Sequence, residues 1–208
     1  MPCDHKFKSY LNLGRIDFEP KTLIVGTFNP EWPVNNPAEW FHGRTANNYF
    51  WDVLPRLYGE QSLINATPAE WKLFCHNNQI AITDLISSID DADPNNREHV
   101  KALAVYADNA IIHNFEDFAY VNVVKLLQLH PTIENVYLTR EITETYWRHL
   151  WNPVAYYCSQ NNIHERKLKS PTVSPRFKPG VLNKKYNDGL IIRMKDDLLS
   201  RWQPEWHL

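Results

Sequence analysis

Apolar residues in this chain gather in short unbroken runs. Leu23–Gly26, Ile80–Thr83 and Val136–Thr139 are brief, continuous and largely apolar, the pattern of strands buried on both faces of a parallel sheet. A weaker strand candidate lies around Glu165–Lys169. Helical stretches separate these runs. Tyr49–Leu57 opens one helix, which Pro55 ends or kinks. Thr67-Pro68-Ala69-Glu70 opens another: Thr67 caps, Pro68 suits the first turn, and Glu70 completes a capping box. Phe118–Leu129 predicts a third helix, ended by His130-Pro131, and Ile142–Trp151 a fourth, with the last inside Asp188–Trp202. Alternating strands and helices predict an α/β fold, a three-layer α/β/α sandwich around a short, mainly parallel four-stranded sheet. Ligands of such sheets bind beyond the carboxyl ends of the strands. The stretch LIVGTFNPEW, Leu23 to Trp32, leaves the core at one such end, through Gly26 and then Asn29-Pro30. Taken alone, Asn-Pro is a turn-starting pair.

Composition narrows the class. With 208 residues and 43% hydrophobic content, one core and one domain over residues 1–208 are expected. The chain has no apolar run long enough for a membrane helix and MPCDHKFKSY has no apolar leader core, so an intracellular, cytoplasmic protein is expected. Cys3, Cys75 and Cys158 are far apart and form no CxxC pair. This argues against a disulfide framework, structural zinc and an iron–sulfur cluster. The nine histidines lack the spacing of a local metal motif. A formal charge of −2 gives no global attraction to nucleic acid. Between Ile163 and Arg193, however, eight basic residues face only Glu165 and Asp188, a local +6. From charge alone that segment reads as a solvated surface.

Two segments concentrate candidate chemistry. Trp40 to Trp51 packs five aromatics, two adjacent amides, an Arg and a His into twelve residues. That density suits a pocket that stacks a planar ligand and hydrogen-bonds its edge. Lys169 to Arg176 alternates Ser or Thr with Pro, which gives a stiff loop whose hydroxyls and amides can grip a phosphate.

Together with LIVGTFNPEW, these segments resemble the uracil-DNA glycosylase superfamily. Gly26-Thr27-Phe28-Asn29-Pro30 resembles its first motif in the mismatch-specific form. Asn48-Tyr49-Phe50-Trp51 is similar to the asparagine, one residue, Phe-Trp of the mismatch-specific and hypoxanthine branches. Ser170-Pro171-Thr172-Val173-Ser174-Pro175 resembles the second motif. The resemblance runs from about Leu23 to Arg176 and implies a DNA-repair hydrolase without cofactor or obligate protein partner. Such an enzyme cleaves the glycosidic bond of a flipped hypoxanthine, uracil or xanthine. Alignment on Asn-Pro makes Asn29 the water-positioning residue; alignment on the hypoxanthine branch makes it Asn48; alignment on the glycine puts Phe28 at that position. By the same resemblance Gly26, Thr27, Phe28, Phe41 and Ser170 bind the base. Phe41 is the first choice of stacking ring, ahead of Phe28 and Trp40. Asp84, after the second strand, either contacts the base or caps a helix. Pro171, Thr172, Ser174, Pro175, Arg176 and Lys178 pinch phosphates, and Lys184 and Lys185 extend the basic face. Lys169 or Ser170 stands where the uracil-specific branches carry a His or Asn. The rival reading is a binding protein of the same fold that has lost catalysis. An unrelated hydrolase or nucleotide-binding domain lacks support, since the chain has no P-loop, GxGxxG turn or GxSxG elbow.

Overall fold

The computed structural model describes residues 1–33, 36–46, 48–172 and 194–207, with the backbone alone at 194 and 195. Its principal sheet consists of β2 (Thr22–Gly26), β3 (Ile80–Asp84), β6 (Asn135–Leu138) and β7 (His164–Lys167), in the order β3-β2-β6-β7. Every pairing is parallel, with Thr22 opposite both Ile80 and Asn135. The four expected strands are therefore present, with bounds shifted by one or two residues.

Why the three apolar runs are unbroken follows from side-chain alternation across the pleat. Leu23 and Val25 of β2, Ala81 of β3, and Val136 and Leu138 of β6 point to one face. There they pack with Trp147, Trp151, Val154 and Cys158. Ile24, Ile80, Ile82 and Tyr137 point to the other face, against Phe50, Trp51, Leu54, Trp71, Phe74 and Trp202. The first layer is built mainly from α3 (Arg97–Ala104), α4 (Asp108–Asn114), α5 (Val123–Leu129) and α6 (Thr145–Gln160). The second is built from α1 (Phe50–Leu57), α2 (Pro68–Asn77) and α7 (Met194–Trp202). The result is a helix–sheet–helix sandwich, as expected.

Local chemistry explains the helix ends. Thr67 and Glu70 form the reciprocal capping box of α2, with the Thr67 N–H donating to Glu70 Oε2 at 2.7 Å. Pro55 lies inside α1, which ends two residues beyond it at Leu57. Proline cannot bond the carbonyl four residues back; that carbonyl, of Trp51, instead accepts from the Leu63 N–H at 2.8 Å.

Three expectations need correction. Phe118–Leu129 is not one helix: Phe118–Tyr120 forms β5, and α5 begins after Asn122, whose side chain accepts from the Lys125 N–H. Strand β5 joins β1 (Cys3–Asp4) and β4 (Ile86–Ile89) in a small antiparallel sheet, β1-β4-β5. The helix expected over Ile142–Trp151 starts at Thr145 and runs to Gln160 through Pro153. Asp84 caps no helix, because β4 follows it almost directly. Among the described residues no helix is long and apolar enough to cross a membrane.

Candidate active site

A polar cleft opens where β2, β3 and β6 end, with about 550 Å³ of space, part of it open solvent. Thr27, Phe28 and Asn29 follow β2, Asp84 ends β3, and Thr139 follows β6. His42, Arg44 and Asn48 come from the aromatic-rich segment, Asp108 from the start of α4, and Ser170, Pro171 and Thr172 from the loop after β7. All three motif segments thus meet at the carboxyl end of the sheet, the position expected for a ligand site.

Asp84 is buried, and its Oδ2 lies 2.6 Å from His5 Nε2. The His5 Nδ1 accepts the Phe7 N–H at 2.9 Å. Nε2 must then carry the ring proton of the neutral imidazole and donate it to the carboxylate. Gly26 makes room for this pair: a Cβ there would fall 2.1 Å from Asp84 Oδ1. The role of this glycine is thus spatial, and it concerns a carboxylate on the neighbouring strand.

Asn29 is buried and borders the cleft. Asn36 fixes which way its amide points. The Asn36 Nδ2 donates to Pro30 O at 2.7 Å and its Oδ1 accepts from the Ala38 N–H at 3.1 Å, so the orientation of Asn36 is determined. The same Nδ2 donates to Asn29 Oδ1 at 2.6 Å. The Asn29 carbonyl is therefore engaged, while its amide hydrogens meet no acceptor among the described residues. Asn48 is buried too and differently committed. Its Oδ1 accepts from the Phe50 N–H at 2.9 Å, and its Nδ2 donates to Thr172 Oγ1 at 3.2 Å. Together with the Tyr49 N–H donating to Pro171 O at 2.9 Å, this ties the start of α1 to the second loop. The Trp202 indole N–H anchors that loop from the other side, through Lys169 O at 2.8 Å.

A third cluster holds the exit of β2. Thr27 Oγ1 donates to Asp108 Oδ1 at 2.6 Å, and Arg140 donates to Asp108 Oδ2 at 2.7 Å and to Glu144 at 3.2 Å. Burial raises the Asp108 carboxyl above its ordinary range, and Arg140 and Thr27 oppose that rise. Arg44 stacks its guanidinium 4.0 Å from the Tyr106 ring centre and pairs with no carboxylate among the described residues. Burial lowers it, and Asp108 and Asp84 partly offset this through their charge.

Of the residues singled out from sequence, Thr27, Phe28, Asn29, Asn48, Asp84, Ser170, Pro171 and Thr172 border the cleft. Phe41 does not. It is buried beside His5, Phe7 and Trp40, with its carbonyl accepting the Trp51 indole N–H. Among the described residues, the rings at the cleft are Phe28 and the imidazole of His42. Ser174, Pro175, Arg176, Lys178, Lys184 and Lys185 lie outside the described residues. In the described part of the basic segment, Arg166, Lys167 and Lys169 pair with Glu205, Glu165 and Asp197. Sequence reasoning missed His5, Asn36, Asp108, Thr139 and Arg140. His5 and Asp108 arrive from distant segments that carry no motif of their own, Asn36 lies seven residues beyond Asn29 of the first motif, and Thr139 ends and Arg140 follows the run Val136–Thr139, which signalled only a strand. His42 and Arg44 lay inside the dense aromatic segment, where that density was the available signal.

No protein-family model matches the chain, and no curated protein matches it. In fold it is similar to a solution structure from Methanosarcina acetivorans described as a "putative Uracil DNA glycosylase". The two are 11% identical, with a TM-score of 0.51 over 92% of this chain and 94% of that one. The chain therefore has a uracil-DNA glycosylase-like α/β fold, as its three motif segments suggested.

Proposed function

We propose that the protein is a monofunctional DNA N-glycosylase that hydrolyses the glycosidic bond of a flipped, deaminated base: hypoxanthine, uracil or xanthine. One observation carries this reading. A carboxylate, an amide with free hydrogens and an aromatic ring converge at the carboxyl end of the sheet, opposite a Ser/Thr-Pro loop.

Bringing a base out of its stack costs about a few kcal/mol, least for a mismatched or damaged one. Phe28 offers a ring to recover part of that cost. The Asn29 amide hydrogens, kept free because Asn36 occupies the oxygen, suit the keto oxygen that deamination puts in place of an amine. Ser170, Pro171 and Thr172, held by Asn48, suit a backbone phosphate, and Arg44 adds a charged donor at the same opening.

The water needs an acceptor for its proton. An amide carbonyl can only orient water, and the carbonyls of Asn29 and Asn48 already accept one bond each. Asp84 is a carboxylate, can take the proton, and can stabilise positive charge developing on the sugar. We therefore assign it the water, with Asn48 holding the phosphate loop and Asn29 reading the base.

Labelled duplexes and single strands carrying U, hypoxanthine, xanthine or a G·T mismatch, cleaved with alkali after incubation, test the reading. Release from at least one is expected, with a loss of about a hundredfold or more in Asp84→Asn. Asn29→Ala should weaken selection for the keto base, and Asn48→Ala should weaken DNA binding. Failure to release any base would reject the enzyme and leave a base-binding protein of the same fold.

A further inference from the structure

We propose that the outer edge of β3 carries a second binding site, for a nucleoside monophosphate whose base presents an adjacent N–H and C=O, as uracil, hypoxanthine and guanine do. The site shares no residue with the cleft, so the proposal stands apart from the glycosylase reading.

Strand β3 lies at the edge of the principal sheet. The Thr22 N–H donates to Gln79 O, and the Leu85 N–H donates to Gly26 O. Odd-numbered residues of this strand therefore bond β2, while Ile80 and Ile82 turn their backbone groups outward. Residues 11–19 arch over that edge and are pinned at both ends. Thr83 Oγ1 donates to Leu11 O at 2.8 Å, and Gln79 Nε2 donates to Glu19 O at 3.1 Å. Between these anchors no described residue bonds the outward N–H and C=O of Ile82, although Ile82 is buried. Such unpaired groups are rare, because each costs about as much as a lost hydrogen bond. Between the arch, α2 and the strand lies a space of about 690 Å³, part of it open solvent. Small-molecule sites span about 300–1,000 Å³.

The charge around this space is mostly of one sign. Arg15 and Lys72 each stand 5.2 Å from the Tyr10 ring centre, and Lys72 also lies 4.3 Å from that of Trp40. Neither pairs with a carboxylate among the described residues. The acid that borders the space, Asp17, reaches His76 at 4.0 Å. Arg15 draws the Tyr10 phenol below its ordinary value, burial opposes that fall, and Lys72 adds to it. Two cations gathered on one phenol repel each other, and a phosphate relieves that repulsion. The guanidinium fork and the ammonium suit its oxygens. Ile16, Phe18 and Trp40 supply apolar wall for a planar ring. The strand then selects the ring. A base carbonyl accepts the Ile82 N–H, and the neighbouring base N–H donates to the Ile82 C=O, as an added strand would.

Isothermal titration of the full chain with 2′-deoxyuridine 5′-monophosphate tests the proposal. Saturable binding is expected. It should weaken about tenfold or more when N3 of the base is methylated, when deoxyuridine replaces the nucleotide, and in Arg15→Gln or Lys72→Gln. Both replaced side chains are exposed, so the fold does not depend on them. Asn29→Ala, at the cleft, should bind within about twofold of wild type. Absence of saturable binding below about 1 mM overturns the proposal. Equally tight binding of the N3-methyl nucleotide, or of inorganic phosphate alone, overturns the assigned ligand. A loss in Asn29→Ala but in neither Arg15→Gln nor Lys72→Gln puts the nucleotide in the cleft and overturns the second site. Base release, which tests the glycosylase reading, is measured separately and is independent of each of these results.

Discussion

Replacing Gly26 with alanine tests the geometry on which the site depends. The new Cβ would stand 2.1 Å from Asp84 Oδ1, where real contacts essentially never fall below 3.0 Å. One of the two must give by nearly an ångström. The carboxylate has little slack, since it is buried and its other oxygen lies 2.6 Å from His5, itself held by the Phe7 N–H. Displacement breaks the His5 bond to a charged acceptor, a contribution of about 1.5–3 kcal/mol. The predicted destabilisation is therefore about 2–3 kcal/mol, read as a fall in urea midpoint at constant m. The backbone adds nothing, because Gly26 is not among the positive-φ residues. A double-mutant cycle isolates the cause. In an Asp84→Ala background the clash is gone, and Gly26→Ala should cost less than about 0.5 kcal/mol, within the spread of independent sites. If Gly26→Ala costs the same in both backgrounds, the steric argument is wrong.

Two further outcomes follow from the same structure. The unfolded chain protonates His42 near 6.5, whereas the folded one resists until about 4; the unfolded state therefore binds more protons in that window, and stability falls as pH drops through it. Since one pKa unit is about 1.4 kcal/mol, wild type should lose up to about 3 kcal/mol relative to His42→Phe between pH 7 and 4, measured by denaturation at each pH. A pH-independent difference between the two proteins would contradict this. Thr67→Ala removes the cap of α2 and should cost about 1 kcal/mol in thermal or urea unfolding, whereas Thr67→Ser should cost much less.

The sheet was legible because its signal is local. Leu23–Gly26 and Val136–Thr139 need both faces covered, and that requirement shows in four consecutive residues. The capping box of α2 was legible for the same reason. Strand β5 was not, since three residues are too few to set alternation against helical period, and its partner β4 lies about thirty residues away. Within the site, the motifs placed Asn29, Asn48 and Asp84 at one cleft but could not say which oxygens are free. Asn36 decides that for Asn29 from seven residues away. His42 rather than Phe41 borders the cleft, and its φ of +55° is a backbone state that the residue type does not announce.

The bonds that frame the cleft also set a timetable for folding. His5 meets Asp84 across 79 residues, Thr27 meets Asp108 across 81, and Asn48 meets Thr172 across 124. Contacts so distant along the chain form after local ones, since each must first close a long loop. On a ribosome, Asn48 emerges early yet waits for the loop after β7 before its amide finds Thr172. A nascent or truncated chain that ends before Thr172 can therefore pair β2, β3 and β6 while the cleft still lacks the loop that Asn48 holds.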